Sequence, residues 1–119
     1  MRTLAQLKDR LKDYKGVEYI YRDYGFIAWQ MGTGENVEIM FIETLIPRKG
    51  YGRRLVREML KEIKPFNSVY VFRLERNEDA GKFYRSIGFR ESLILNLYKE
   101  NAVLGVVKYT DLCQNVLPQ

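Results

Sequence analysis

Asn77-Glu78-Asp79-Ala80-Gly81-Lys82-Phe83-Tyr84-Arg85-Ser86-Ile87-Gly88-Phe89 is the stretch on which the reading of this chain turns. Its pattern predicts a short helix from about Glu78 to Ile87, stopped by Gly88 at a C-cap position. On a helix begun near Asn77, residues Asn77, Ala80 and Tyr84 share one face. Asn77 follows a strand, so its amide can bond a ligand lying along the strand's C-terminal edge. Ala80 is small enough to let something pack against the helix. Tyr84 carries a phenol toward the same crevice, where it can donate a proton. Phe83 and Phe89 read as core. Taken singly, these residues fit equally well as a capping Asn, a space-filling Ala and a core Tyr.

About 25 residues upstream lies a second signature, Pro47-Arg48-Lys49-Gly50-Tyr51-Gly52-Arg53-Arg54, between a predicted strand and a predicted helix. Two glycines let the backbone turn tightly and bring its N–H groups close to an anion. The helix that follows offers N-terminal amides and the positive end of its dipole. Arg48, Lys49, Arg53 and Arg54 surround that point. A pyrophosphate suits the arrangement, although the same residues also fit a basic helix whose glycines cap a turn. The spacing is neither G-x-G-x-x-G, since Leu55 stands at the third glycine, nor a P-loop, since no G-K-[ST] follows.

Around these two motifs the rest of the chain falls into short elements. Leu4, Leu7, Leu11 and Tyr14 recur at helical spacing behind a Thr3/Gln6 capping box, with Gly16 to end the helix. From Val17 to Ile46 the pattern predicts a three-strand meander: VEYIYR, FIAWQM and VEIMFIETLI, divided by Asp23-Tyr24-Gly25 and by Gly32 to Asn36. Pro47 closes the third strand. Leu55, Val56, Met59, Leu60 and Ile63 make one apolar helical face, opposite Arg53, Arg54, Arg57 and Lys61. SVYVFRLE reads as a strand, and after the second helix come RESLILNLY and VLGVVKY, joined by Lys99-Glu100-Asn101. The predicted order is α-β-β-β-α-β-α-β-β, an α/β chain in which the central strand–helix–strand unit implies a parallel pair inside a mixed sheet. TDLCQNVLPQ is left as a tail.

With 119 residues the chain has the length of one domain, residues 1–119. It carries no histidine, which removes imidazole from catalysis and metal binding and excludes Ser-His-Asp and Cys-His mechanisms. No metal is expected. A single cysteine, Cys113, cannot form an internal disulfide. The N-terminus lacks an apolar signal-peptide core, and no apolar run approaches the roughly 20 residues of a membrane span. A cytoplasmic protein with no membrane partner is expected. The net charge of +5 suits an anionic ligand, and nucleic acid stays open as a partner. Exposed strand edges and the tail allow a monomer or a homodimer.

The two motifs together resemble the GNAT superfamily of N-acetyltransferases. Asn77, Ala80, Tyr84, Gly88 and Phe89 match its N-x-x-A-x-x-x-Y-x-x-x-G-F pattern, and Lys49-Gly50-Tyr51-Gly52 matches the core of its cofactor turn. The resemblance runs from about Val17 to Tyr109 and implies a GNAT acyl-CoA N-acyltransferase fold with acetyl-CoA as co-substrate. It implies that acetyl-CoA lies in a splay between the strand ending at Ile46 and the strand Ser68 to Glu75. Backbone groups near Thr44, Leu45 and Ile46 would pair with the pantetheine arm, and amides of Lys49, Gly50, Tyr51, Gly52 and Arg53 would hold the pyrophosphate. Asn77 would bond the pantetheine, Ala80 would leave room for it, and Tyr84 would protonate the departing thiolate.

Two departures stand out: Pro47 replaces the usual Gln or Arg before the turn, and the usual first strand and one N-terminal helix are missing. The second departure predicts an open acceptor groove, suited to a protein or another large amine.

Acetyl transfer to an amine requires the amine to lose a proton, the thioester carbonyl to be polarised and the thiolate to be protonated. The Leu45–Ile46 amides are the expected polarising group. Glu38 and Glu43 are the candidate bases; their odd separation predicts opposite faces of the strand, and Glu38 is favoured by its likeness to a family glutamate. The competing expectations are a basic binding module and a GNAT fold that binds CoA without turnover.

Overall fold

The computed structural model describes residues 1–97 and 100–117. Helix α1 (Leu4–Leu11) opens the chain with the expected capping box, Thr3 Oγ1 accepting from Gln6 N–H and Gln6 Oε1 from Thr3 N–H. Then follow β1 (Glu18–Arg22), β2 (Gly25–Met31), β3 (Val37–Thr44), α2 (Tyr51–Glu62), β4 (Ser68–Leu74), α3 (Glu78–Ser86), β5 (Arg90–Leu97), β6 (Glu100–Lys108) and α4 (Tyr109–Val116).

The predicted order holds through β6. The sequence TDLCQNVLPQ, expected to be a tail, instead folds largely into α4, with Leu112 and Val116 buried. Of the expected link Lys99-Glu100-Asn101, Lys99 lies outside the described residues, while Glu100 and Asn101 belong to β6.

All six strands form one mixed sheet in the order β1-β2-β3-β4-β6-β5, in which β3 and β4 are parallel and the other neighbours antiparallel. The parallel pairing is brief. It joins Val37–Ile39 to Val69–Val71 and stops, while β3 stays paired with β2 as far as Thr44 and β4 with β6 as far as Leu74. A wedge therefore opens between Met40–Thr44 and Phe72–Leu74. At its apex β3 carries a bulge: Ala28 faces Phe41 and Trp29 faces Ile39, so Met40 has no partner on β2. A bulge bends its strand and strengthens the local twist, which turns β3 away from β4.

Two apolar layers hold the sheet. On one face Ile27, Trp29, Ile39, Val69 and Val71 pack under α2, α3 and α4 through Leu55, Met59, Tyr84, Ile87 and Leu112. On the other, Phe26, Ala28 and Phe41 pack under α1 through Leu7 and Leu11. That helix covers the β1–β3 half alone; on the same face, Phe72 of β4 and Val106 of β6 stay 40% and 38% exposed.

The apolar face of α2 is the one expected, with Leu55, Val56, Met59 and Leu60 buried. Leu55 is fully buried against the sheet, so Leu55→Ala leaves a cavity under α2. Its expected cost is about 3 kcal/mol of stability, read as a lower urea midpoint at unchanged slope.

Candidate active site

The wedge is the mouth of a cavity of about 850 Å³ lined by Met40 to Thr44 and Phe72 on the strands, the 46–53 turn and the inner face of α3. Strand backbone that has lost its neighbour keeps unpaired N–H and C=O groups, so the edges of the wedge can bind an extended ligand as an added strand. The strand ends at Thr44, two residues before the expected Ile46, and Leu45 and Ile46 follow outside it, both exposed. The Leu45 N–H donates to the Tyr24 carbonyl at 2.8 Å and is thereby committed. Ile46 lines the cavity and Leu45 does not.

At the outer end, Arg48 and Gly50 both take left-handed backbone, with φ of 62° and 77°. For Gly50 this costs nothing; for Arg48 it is an uncommon conformation held by the tight turn after Pro47. The turn delivers the chain into α2 with Gly50 as N-cap and no side-chain cap. The N–H groups of Tyr51, Gly52 and Arg53 therefore lack helical partners and sit at the positive end of the helix dipole.

Gly52 has a second reason to be glycine: a Cβ there would meet the Phe83 ring at 2.9 Å, so the two helices approach closely at the cavity wall. Arg48, Gly50, Tyr51, Gly52 and Arg53 line the cavity. Lys49 and Arg54 do not, and the Arg54 guanidinium lies over the Tyr24 ring at 4.7 Å. Arg53 also donates to the Asn115 carbonyl, while Arg57 Nε donates to the Val116 carbonyl at 2.7 Å, so both cap the C-terminal end of α4.

Along the inner wall stands α3. Asn77 is its N-cap, accepting from the Ala80 N–H at 3.3 Å, and Asn77, Ala80 and Tyr84 all line the cavity. Tyr84 is 6% exposed, and burial pushes its phenol up to about 12, with the positive charge of Arg73 pulling the other way. Such a phenol keeps its proton throughout the neutral range.

The structure brings the two candidate bases onto one face of β3. The bulge at Met40 resets the alternation of β3, so Ile39 and Ile42 share one face while Glu38 and Glu43 share the other, the face of α1. The expectation of opposite faces is thus overturned. Glu38 accepts from Gln30 Nε2 at 3.1 Å and Tyr70 Oη at 3.5 Å, and it does not line the cavity. Glu43 does line it but is tied to the backbone N–H and guanidinium of Arg2. Burial and then the Glu38 charge raise the Tyr70 pKa, so its hydroxyl stays protonated beside that carboxylate.

Sequence reasoning missed Phe72, Arg73, Lys82 and Phe83 as cavity residues. A signal existed for one of them: in β4 the core-facing positions run Val69, Val71, Arg73, and a charge at an inward position must be paired.

A family model for the acetyltransferase (GNAT) domain matches residues 12–91. A search of the curated proteins found no match. Among solved structures, the ribosomal-protein-S18-alanine N-acetyltransferase from Escherichia coli superposes with a TM-score of 0.68 at 17% identity, covering 87% of this chain and 76% of the other. Mutant forms of the spermidine/spermine N-acetyltransferase from Vibrio cholerae give 0.68 at 15% identity, covering 93% of this chain and 75% of that one. A Bacillus subtilis acetyltransferase in complex with CoA gives 0.66 at 15% identity, with coverage of 88% and 84%. At these identities the likeness shows the fold. The family model spans most of the chain and includes the wedge, the basic turn and the α3 motif: the chain belongs to the GNAT acetyltransferase domain family.

Proposed function

We propose that this chain transfers an acetyl group from acetyl-CoA to an amine by direct attack. The observation that carries the reading is the wedge between β3 and β4, which opens at the Met40 bulge onto a cavity joining the Gly50–Arg53 turn to Tyr84. The pantetheine arm lies along the free edge of β3, with the pyrophosphate on the Tyr51, Gly52 and Arg53 amides beside Arg48. Asn77 holds the arm from the α3 side, and Ala80 leaves the space it needs. The bulge residue Met40 lacks a partner on β2 and stands where the strands part, so its amide is placed to polarise the thioester carbonyl. It takes over that role from Leu45, whose N–H is spent on Tyr24.

The amine arrives from the α1 face of the sheet. Glu38 serves as the base from that face, receiving the amine proton across a water. Attack at the carbonyl carbon breaks the C–S bond, and the electron pair leaving on sulfur takes the proton of Tyr84 Oη. The acceptor is a polypeptide amine, because the face it crosses is open: Phe72 and Val106 are uncovered beside the wedge. The alternative of a nucleic-acid surface is disfavoured by where the arginines of α2 go. Arg53 and Arg57 cap α4 and Arg54 stacks on Tyr24, which leaves no free row of guanidinium groups on that helix.

Incubation with acetyl-CoA and a panel of peptides, polyamines and small amines, read by mass spectrometry, tests the function. Acetylated peptide with release of free CoA is the expected outcome. Acetylated polyamine with untouched peptide would overturn the acceptor class, and no product from any amine would overturn the enzyme.

A further inference from the structure

Arg73 is the charged residue of β4, and its side chain, 6% exposed, points into the core-facing layer. Every nitrogen of its fork donates a hydrogen bond, either to Glu91 or to carbonyls at the base of α3. Nε and Nη2 donate to the two carboxylate oxygens of Glu91 on β5, at 2.6 and 3.2 Å. Nη1 donates to three carbonyls, Leu74 at 3.1 Å, Glu75 at 3.0 Å and Asn77 at 3.3 Å. The guanidinium lies so close beneath α3 that a Cβ on Gly81 would stand 2.7 Å from its Cζ. Gly81 and Tyr84 are the two buried residues of α3, one turn apart, so the guanidinium under Gly81 lies within one turn of the residue that carries the phenol, and its charge opposes the rise of the phenol's pKa. Both Arg73 and Tyr84 line the cavity.

We propose that Arg73 is a positioning residue for acetyl transfer: it fixes Asn77 and Tyr84 across the cavity and holds a positive charge beside the phenol as the phenol gives up its proton. The inference rests on the acetyltransferase reading given above. In the step concerned, the C–S bond breaks toward sulfur, the Oη–H bond of Tyr84 breaks toward oxygen, and an S–H bond forms. The phenolate left behind regains a proton from the one the amine has released to Glu38 or water. A buried phenolate is costly without a nearby cation. Arg73 and Arg85 face Glu78 and Glu91, two cations against two anions. Removing Arg73 leaves a net negative charge beside an oxygen that must itself become negative.

The test is a double-mutant cycle between Arg73 and Tyr84, with acetyl-CoA affinity measured by calorimetry and kcat measured as acetylated peptide formed from the acceptor peptide. Arg73→Met is expected to lower kcat roughly tenfold, the size of one charge acting across a partly solvated gap. In the Tyr84→Phe background the same change is expected to leave kcat unaltered, because there is no phenolate to stabilise. Arg73→Lys keeps the charge and loses the fork, so it should retain most of kcat while weakening acetyl-CoA binding through Asn77.

Should Arg73→Met fail to fold, Arg73→Gln, which loses the charge but keeps an amide to donate to Glu91, serves in its place. An equal loss of kcat in both backgrounds, or a Lys variant as slow as the Met variant, overturns the inference while leaving the enzyme intact. A wild-type chain without turnover overturns the functional reading and this inference with it.

Discussion

Tyr84→Phe is expected to lower kcat for acetyl transfer roughly 100-fold, at the lower end for loss of a positioned acid, while acetyl-CoA affinity stays at the wild-type value. The ring remains in its place in the apolar layer with Ile87 and Phe89, so the fold keeps its packing and only the hydroxyl is lost. The split between kcat and affinity separates an enzyme from a protein that merely holds CoA, because the latter has no step for a phenol to serve.

The phenol also sets a limit in pH. Burial raises its pKa from the ordinary 10.0 to about 12, so the folded state holds this proton more tightly than the unfolded one. Stability from that difference is present below pH 10 and is lost as pH climbs toward 12, and Tyr84→Phe should blunt this alkaline loss in thermal melts.

Ala80→Phe is the second large effect. Ala80 faces the cavity from α3, opposite the free edge of β3, and a benzyl group there occupies the space the pantetheine arm needs. Acetyl-CoA affinity should fall roughly 10- to 100-fold, the range for forcing a bulky group into an occupied site. The melting temperature should hardly move, since the ring enters a groove rather than the packed core. Calorimetry with acetyl-CoA and a thermal melt on the same sample check both halves. Wild-type affinity in this variant would mean that the arm runs elsewhere.

Much of this site is legible in the chain because its parts are local. The cap at Asn77, the small Ala80 and the phenol at Tyr84 follow from helical spacing, and the Gly50–Gly52 turn follows from glycine between a strand and a basic helix. The parts that escape the sequence depend on pairing. In VEIMFIET apolar residues fill nearly every position from Val37 to Ile42, so no period of two reveals that Met40 is skipped by β2. With the bulge hidden, Glu38 and Glu43 fall on the wrong relative faces.

Leu45 and Ile46 extend the apolar run, which is why the strand reads two residues too long; their exposure shows that they follow its end. Helix α4 escapes for another reason. Its N-cap Lys108 offers no side-chain cap, and no glycine closes it. Its stability comes from Leu112 and Val116 against the core and from Arg53 and Arg57 on its last carbonyls, contacts that local spacing does not announce. The same contacts show why counting the arginines of α2 as phosphate ligands overstates their number.

The most direct test of the wedge as a cofactor site is a calorimetric titration of the wild-type protein with acetyl-CoA, set beside CoA and ATP. Saturable one-to-one binding shared by acetyl-CoA and CoA and absent with ATP is the expected result, because the strand edges take the pantetheine arm that ATP lacks. Heat that never saturates at millimolar acetyl-CoA, or equal binding of ATP, would contradict it and reduce the Gly50–Arg53 turn to a general anion site.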